Sequence, residues 1–185
     1  TPDDLAAVAA RLLNAEAVAV DTEFFWERTY YPVLGLVQLA TADDCWLVDA
    51  VAVRDLRALG PVLAAPSVTK LLHDAHQDLT ILARATGATP QTVFDTRVAA
   101  GFAGFSSTSS LQALLRGALG IDLTKAETRS DWLRRPLSES QLRYAAEDVI
   151  HLIPLRTALL ARCVGDMPRA WMSEELARLD NAALY

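Results

Sequence analysis

Two acidic residues at the end of an apolar run are the first sign of a reactive site in this sequence. Asp21 and Glu23 follow the run 17–20, and such a run is typical of a strand buried on both faces. Alternate residues of a strand point to the same side, so the two carboxylates should lie side by side. Like charges at the edge of a core repel each other, and such a pair shares either a proton or a cation. The tripeptide alone is common, and a strand end that meets water is its ordinary explanation.

Two further acids and a tyrosine stand at a predicted helix start and on a predicted buried face. Asp78 opens a helix after the fourth predicted strand, where compensation of the helix dipole is its ordinary role. Tyr144 and Asp148 are four residues apart on a late helix, on a face that continues in Leu152 and Leu155. A carboxylate on a buried face needs a partner, whereas a buried tyrosine commonly needs only one hydrogen bond.

These residues together predict a divalent-cation site. Oxygen ligands select hard ions such as Mg²⁺ or Mn²⁺, and the sequence has no Cys/His ligand set that would favour zinc. Two such ions held by carboxylates are the apparatus for in-line hydrolysis of a phosphodiester, in which one activates water and the other steadies the leaving oxygen. A phenol beside them would orient the water or help to deprotonate it.

Composition limits the class of protein. The chain has 185 residues, 52% of them hydrophobic, and is long enough for one domain with a sizeable core. Its net charge of −6 argues weakly against a wide grip on polyanions, although bound metal ions would invert the local potential. No apolar run reaches bilayer length, and the N-terminus lacks a signal-peptide pattern. Cys45 and Cys163 lack ligand-like spacing, so we expect free buried thiols in a reducing, cytoplasmic setting.

Periodicity predicts an α/β fold with a mixed sheet flanked by helices. The first three strands should form an antiparallel unit, and two more follow among helices. The predicted strands are 17–24, 34–40, 45–49, 68–73 and 92–94, and the predicted helices are 5–13, 53–63, 78–85, 97–103, 111–119, 139–162 and 168–179. Asp95 and Thr96 are placed to cap a helix, Ser138 and Gln141 form a capping-box pattern, and Pro154 should kink the long helix.

The order of the acidic motifs resembles a known family. D-x-E at 21–23, H-x-x-x-x-D-L at 73–79 and Y-x-x-x-D at 144–148 look like the DEDDy 3′–5′ exonucleases. The stretches 20–24, 28–32, 36–39 and 125–137 are similar to the ribonuclease D family in particular, and 129–137 is the most specific of them. The resemblance covers residues 5 to 180, and the ordered set is much more specific than any single motif.

The resemblance implies a ribonuclease H-like, five-stranded fold and metal-dependent 3′–5′ exoribonuclease activity. The implied substrates are single-stranded RNA 3′ ends, as in the processing of structured RNA precursors such as tRNA, and the products are nucleoside 5′-monophosphates. By resemblance, the two Mg²⁺ or Mn²⁺ ions are held, directly or indirectly, by Asp21, Glu23, Asp78 and Asp148, and Tyr144 orients the water. Ribonuclease D usually continues into helical HRDC domains, and nothing here corresponds to them. We therefore expect a single catalytic domain over 1–185.

Further residues are candidates for substrate contacts. Basic residues at 125, 129, 134 and 135 make a locally basic stretch suited to phosphates, although a solvated loop explains Arg134 and Arg135 nearly as well. Trp132 either stacks on a base or packs under that loop, and packing is the preferred interpretation. His73 is expected to hydrogen-bond locally rather than bind metal. The predicted substrate contacts are Thr22, Phe24, Lys125, Arg129 and Trp132, with plain core packing an equal alternative for Phe24.

Two other functions stay open from the sequence. A proofreading or repair-type DNA exonuclease would use the same five residues, because no contact to a 2′-OH can be read from the sequence. A non-catalytic nucleic-acid-binding module would also keep the fold. A complete set of four acids argues against that module, because an idle carboxylate cluster only costs stability.

Overall fold

A five-stranded mixed sheet forms the centre of the molecule. The computed structural model describes residues 1–26, 30–123, 127 and 130–185. The strand order is β3-β2-β1-β4-β5, in which β2 pairs antiparallel with both β1 and β3, whereas β4 pairs parallel with both β1 and β5. The predicted fold class is confirmed. The strands are β1 (Ala17–Phe25), β2 (Val33–Ala40), β3 (Cys45–Asp49), β4 (Thr69–Leu72) and β5 (Val93–Asp95).

Helices cover both faces of this sheet. They are α1 (Pro2–Leu12), α2 (Ala50–Val53), α3 (Gly60–Ala64), α4 (His76–Thr86), α5 (Thr96–Phe102), α6 (Leu111–Leu119), α7 (Glu139–Ile150), α8 (Leu152–Arg162) and α9 (Asp166–Ala177). Short 3₁₀ turns occupy Arg57–Leu59, Arg178–Asp180 and Ala182–Leu184. Within the described part of the chain, none of the helices has the length and apolar character that a membrane crossing requires.

The alternation along β1 decides which side each of its residues faces. Val18 and Val20 pack in one core with α1, α3 and α4, whereas Ala17 and Ala19 pack in a second core with α5–α9. All four are buried, as the apolar run predicts. Asp21 and Glu23 continue the second series, so β1 presents them on the α7 side of the sheet.

Most predicted elements lie within three residues of the observed ones, and two helices differ. The predicted helix 53–63 is wrong, because Arg54 adopts a left-handed φ of 59° and ends α2. A 3₁₀ turn and the separate helix α3, which has a proline in its first turn, follow it. The predicted helix 139–162 breaks at His151 into α7 and α8. Pro154 is the cause, since it cannot donate to the carbonyl of Ile150 and its ring crowds that carbonyl.

The predicted helix starts are confirmed. Asp95 caps α5 by accepting the backbone N–H of Arg97. Ser138 and Gln141 form the complete capping box at the start of α7.

The prediction of two buried thiols is half wrong. Both cysteines are free, and Cys163 is buried, but Cys45 is exposed. Cys45 begins β3, which is at the edge of the sheet, and its side chain meets solvent there.

Candidate active site

The end of β1 and one face of α7 bring three carboxylates together. One oxygen each from Asp21, Glu23 and Asp148 lies within 4.8 Å of the other two. The capping box fixes the start of α7, and its buried residues Ala145 and Val149 hold the helix against the sheet. Asp148 is turned toward β1 as a result. The convergence of these three acids, predicted from separate elements, is present in the structure.

Asp78 lies beside this cluster rather than in it. It sits in the first turn of α4, is buried, and accepts a hydrogen bond from the Thr22 hydroxyl. Thr22 points to the α4 side of β1, opposite to its two acidic neighbours. The fourth acid is therefore held from the other face of the strand, close enough to raise the pKa of Asp21 and Glu23.

The charge of the cluster is uncompensated. In the part of the chain that the structure describes, none of the four acids forms a salt bridge with a lysine or arginine. Burial first, and then Asp78, Asp148 and Glu23, hold the pKa of Asp21 well above its usual range. Burial raises the pKa of Glu23 to about 8, with Asp148 and Asp78 adding to it. The same desolvation raises the pKa of Asp148 to about 7 and that of Asp78 to about 6. Acids placed in this way retain protons at neutral pH unless a bound cation takes the place of those protons.

Tyr144 stands one helical turn before Asp148, and its hydroxyl lies close enough to that carboxylate for each group to shift the pKa of the other. Burial, followed by the charges of Asp148, Glu23 and Asp21, holds the pKa of Tyr144 far above its ordinary value. The residue is therefore a neutral phenol at the cluster, able to donate a hydrogen bond.

The Trp132 ring packs against the Tyr144 ring. The two rings lie 6.0 Å apart with planes inclined by 37°. Only 2% of Trp132 is exposed, and it packs with Leu36 and Ala145. An indole so deeply buried cannot stack on a base, so its place among the predicted substrate contacts is wrong and the packing interpretation holds.

Gln38 is a site residue that the sequence interpretation missed. It lies opposite Asp21 on β2, is fully buried, and donates from Nε2 to Asp21 Oδ2 over 3.3 Å. This bond fixes one oxygen of Asp21. A single amide inside the apolar run 36–40 was the available signal, because a buried polar side chain in a strand requires a partner.

The remaining predicted contacts divide into three groups. Thr22 is 4% exposed, and its hydroxyl already donates a hydrogen bond to Asp78. Phe24 is half-buried beside an irregularity in the β1–β2 pairing. Lys125 and Arg129 lie outside the described residues. Arg134 is exposed.

Arg135 serves neither of its predicted purposes. Its guanidinium donates to both oxygens of Asp49 over 2.7 Å and to the Gly35 carbonyl over 2.8 Å. Gly35 is required there, because a Cβ would lie 2.5 Å from the Trp132 carbonyl oxygen. The pair fastens the segment that carries Trp132 to the sheet.

A buried carboxylate on β5 fixes the approach to α4. Asp95 accepts the backbone N–H groups of Asp74 over 3.0 Å and Ala75 over 2.9 Å, directly before the helix that bears Asp78. His73 lies in the same turn and contacts Thr96 Oγ1 at 2.9 Å and the Ser109 carbonyl at 3.1 Å. The expectation of a local role for His73 is confirmed.

A model of the 3′–5′ exonuclease family matches residues 1–163. The chain belongs to the 3′–5′ exonuclease family. Among curated relatives of this chain, ribonuclease D of Desulfotalea psychrophila is 50% identical over 186 residues, which cover 100% of this chain and 50% of that protein. The chain spans about half the length of the curated relatives that it matches.

Solved exonuclease structures share the fold. Escherichia coli RNase D, an exoribonuclease involved in structured RNA processing, matches with a TM-score of 0.86 at 34% identity, over 97% of this chain and 49% of that one. Brucella melitensis NrnC with bound Mg²⁺ matches with a TM-score of 0.75 at 28% identity, over 90% of this chain and 80% of that one. NrnC has also been solved bound to pGG.

Proposed function

We propose that this chain is a 3′–5′ exoribonuclease domain that removes nucleoside 5′-monophosphates one at a time from single-stranded RNA ends. The observation that carries the proposal is the convergence of Asp21, Glu23 and Asp148, with one oxygen of each within 4.8 Å of the others. A neutral phenol on the same helix face, that of Tyr144 beside Asp148, would complete a site for hydrolysis.

The donor set fits hard divalent cations. It consists of carboxylate oxygens whose pKa values are raised by burial and by one another, so bound positive charge would relieve both effects. Asp21, Glu23 and Asp148 would hold two ions, Mg²⁺ or Mn²⁺, with Asp78 held close by Thr22. When bound, such ions lower the pKa of a coordinated water and offset the charge that develops on the leaving oxygen.

The protein's own groups supply orientation. Gln38 fixes one Asp21 oxygen, so the other is free to point into the cluster. The Tyr144 hydroxyl can donate a hydrogen bond, and from its place beside Asp148 it would orient the attacking water. Trp132 keeps the phenol ring in place. Glu23 stands next to Asp21 and accepts the terminal 3′-OH, so a 3′-phosphate is rejected by like-charge repulsion.

Support for RNA comes from the relatives. The Desulfotalea psychrophila relative is named ribonuclease D and the Escherichia coli structure is that of an exoribonuclease. The two free cysteines favour a reducing compartment, the cytoplasm, as the place of action.

The test is degradation of matched RNA and DNA strands, labelled at the 5′ end and carrying either a 3′-OH or a 3′-phosphate. We expect a ladder that shortens from the 3′ end on open 3′-OH RNA with Mg²⁺ or Mn²⁺, none with chelator, and none with Ca²⁺ alone. A circular RNA should survive. Cleavage of the circle, or full activity in chelator, would refute the proposal, and a preference for the DNA strand would favour the repair-type enzyme.

A further inference from the structure

A large open pocket lies next to the candidate active site, on the α4 side of the sheet. Its volume of about 1090 Å³ is at the upper limit of a typical small-molecule site, roughly 300–1,000 Å³. Gln77, which precedes Asp78 on α4, lines it, and so does Trp26, which follows β1 three residues beyond Glu23. The pocket thus adjoins the end of β1 and the first turn of α4, and none of the four acids lines it.

The walls of this pocket are aromatic. Trp26, Tyr30 and Tyr31 are 53%, 87% and 52% exposed, and Tyr185 lines the pocket beside His76. Rings exposed to this extent in one place are unusual unless something covers them. The rings of Tyr30 and Tyr31 meet edge to face at 4.8 Å, so their outer surfaces stay accessible.

The charge of the pocket differs from that of the whole chain. The chain carries 23 acidic and 17 basic residues, yet none of the described residues that line the pocket is Asp or Glu. Arg84 lies over the Tyr31 ring at 3.4 Å from its centre, with its guanidinium at the pocket wall. The lining therefore suits an anion that also carries flat apolar rings.

We propose that this pocket binds the RNA nucleotides upstream of the one being removed. The inference rests on the proposed function, because only a substrate longer than one nucleotide needs a path away from the catalytic acids. On the α7 side, by contrast, Trp132 and Ala145 are packed against the sheet. The aromatic pocket gives bases stacking surfaces that tolerate any sequence, and Arg84 pairs with phosphate.

The experiment compares a dinucleotide with a single-stranded RNA of roughly ten nucleotides as substrates for the same variants. Trp26→Ala and Arg84→Ala should each lower kcat/KM on the longer RNA about tenfold more than on the dinucleotide. Trp171→Ala is the matched control, because Trp171 is 52% exposed on α9 and outside the pocket. It should behave as wild type on both substrates.

A second measurement separates this inference from the proposed function. Binding of the labelled longer RNA is followed by anisotropy in chelator, where no hydrolysis occurs. Weaker binding by Trp26→Ala, with binding unchanged in Trp171→Ala, supports the pocket even if the wild type hydrolyses neither substrate, in which case the proposed function fails. Equal losses on the two substrates, or no loss of binding, would overturn the assignment and leave the pocket to a protein partner.

Discussion

Two carboxylates in one row of paired strand residues have pKa values that are shifted in opposite directions. Glu23 on β1 pairs with Leu36 on β2, which in turn pairs with Asp49 on β3. The pKa of Glu23 is raised to about 8, chiefly by burial and then by Asp148 and Asp78. The pKa of Asp49 is lowered, chiefly by its hydrogen bonds with Arg135.

This difference distinguishes a carboxylate with a structural role, Asp49, from a carboxylate of the candidate active site, Glu23. Asp49 has an arginine and two backbone N–H groups, so its charge is satisfied within the fold and its role is structural. Glu23 has like charges around it and, among the described residues, no salt-bridge partner. Removing the charge of Glu23 should therefore stabilise the metal-free protein, whereas removing the charge of Asp49 should destabilise it.

The largest effect is expected for the substitution Asp21→Asn, which removes one of the crowded carboxylates. We expect kcat to fall about a thousandfold or more, because metal charge stabilisation is worth several kcal/mol. The metal-free variant should at the same time unfold at a higher temperature than wild type, since one of the crowded charges is gone. Asp78→Asn should lose less activity, because Asp78 lies outside the close group of three. An active Asp21→Asn enzyme would contradict the account.

Tyr144→Phe removes one hydroxyl and keeps the ring on Trp132. Turnover should fall by roughly two orders of magnitude, the usual scale for a lost proton-handling group. RNA binding in chelator and the unfolding temperature should change little. Full activity with a lowered melting temperature would instead assign Tyr144 to the core.

Arg135→Met tests the structural role of the pair between Arg135 and Asp49. It leaves Asp49 and the Gly35 carbonyl without their guanidinium partner, so the free energy of unfolding should drop by about 2 kcal/mol. Denaturant unfolding measures the loss. Arg134→Met is the matched control, because Arg134 is exposed, and it should unfold as wild type does. Equal effects of the two substitutions would show that the Asp49 pair adds nothing.

The smallest expected effect is on pH dependence. Acids whose pKa is raised in the folded state bind more protons there than in the unfolded chain, so stability falls as pH rises from about 4 to about 8. Glu23 at about 8, Asp148 at about 7 and Asp78 at about 6 set this window. The melting temperature of the metal-free protein should fall across this window, by roughly 2–4 °C for each kcal/mol of stability lost, and that of Asp148→Asn should fall less. A melting temperature that rises over the same window would contradict the raised pKa values.

The sequence predicted the sheet and the identity of the acids well, because apolar runs, i and i+4 spacing and caps are local signals. It predicted the partners of polar side chains poorly. The bond between Gln38 and Asp21 depends on strand register, and the pair between Arg135 and Asp49 joins residues far apart in the chain. The helix predicted over 53–63 failed for another reason, since the left-handed backbone at Arg54 leaves no mark on the hydrophobic pattern.

The most direct test is calorimetric titration of Mn²⁺ into the metal-free protein at about pH 8 and about pH 5.5, above and below the raised pKa values of Asp148 and Asp78. We predict tight binding at the higher pH, weaker binding with proton release at the lower, and none in Asp21→Asn. Arg134→Met should bind as wild type does. Absence of Mn²⁺ binding by the wild type, or equal binding by Asp21→Asn, would contradict the claim that these crowded carboxylates form a metal site.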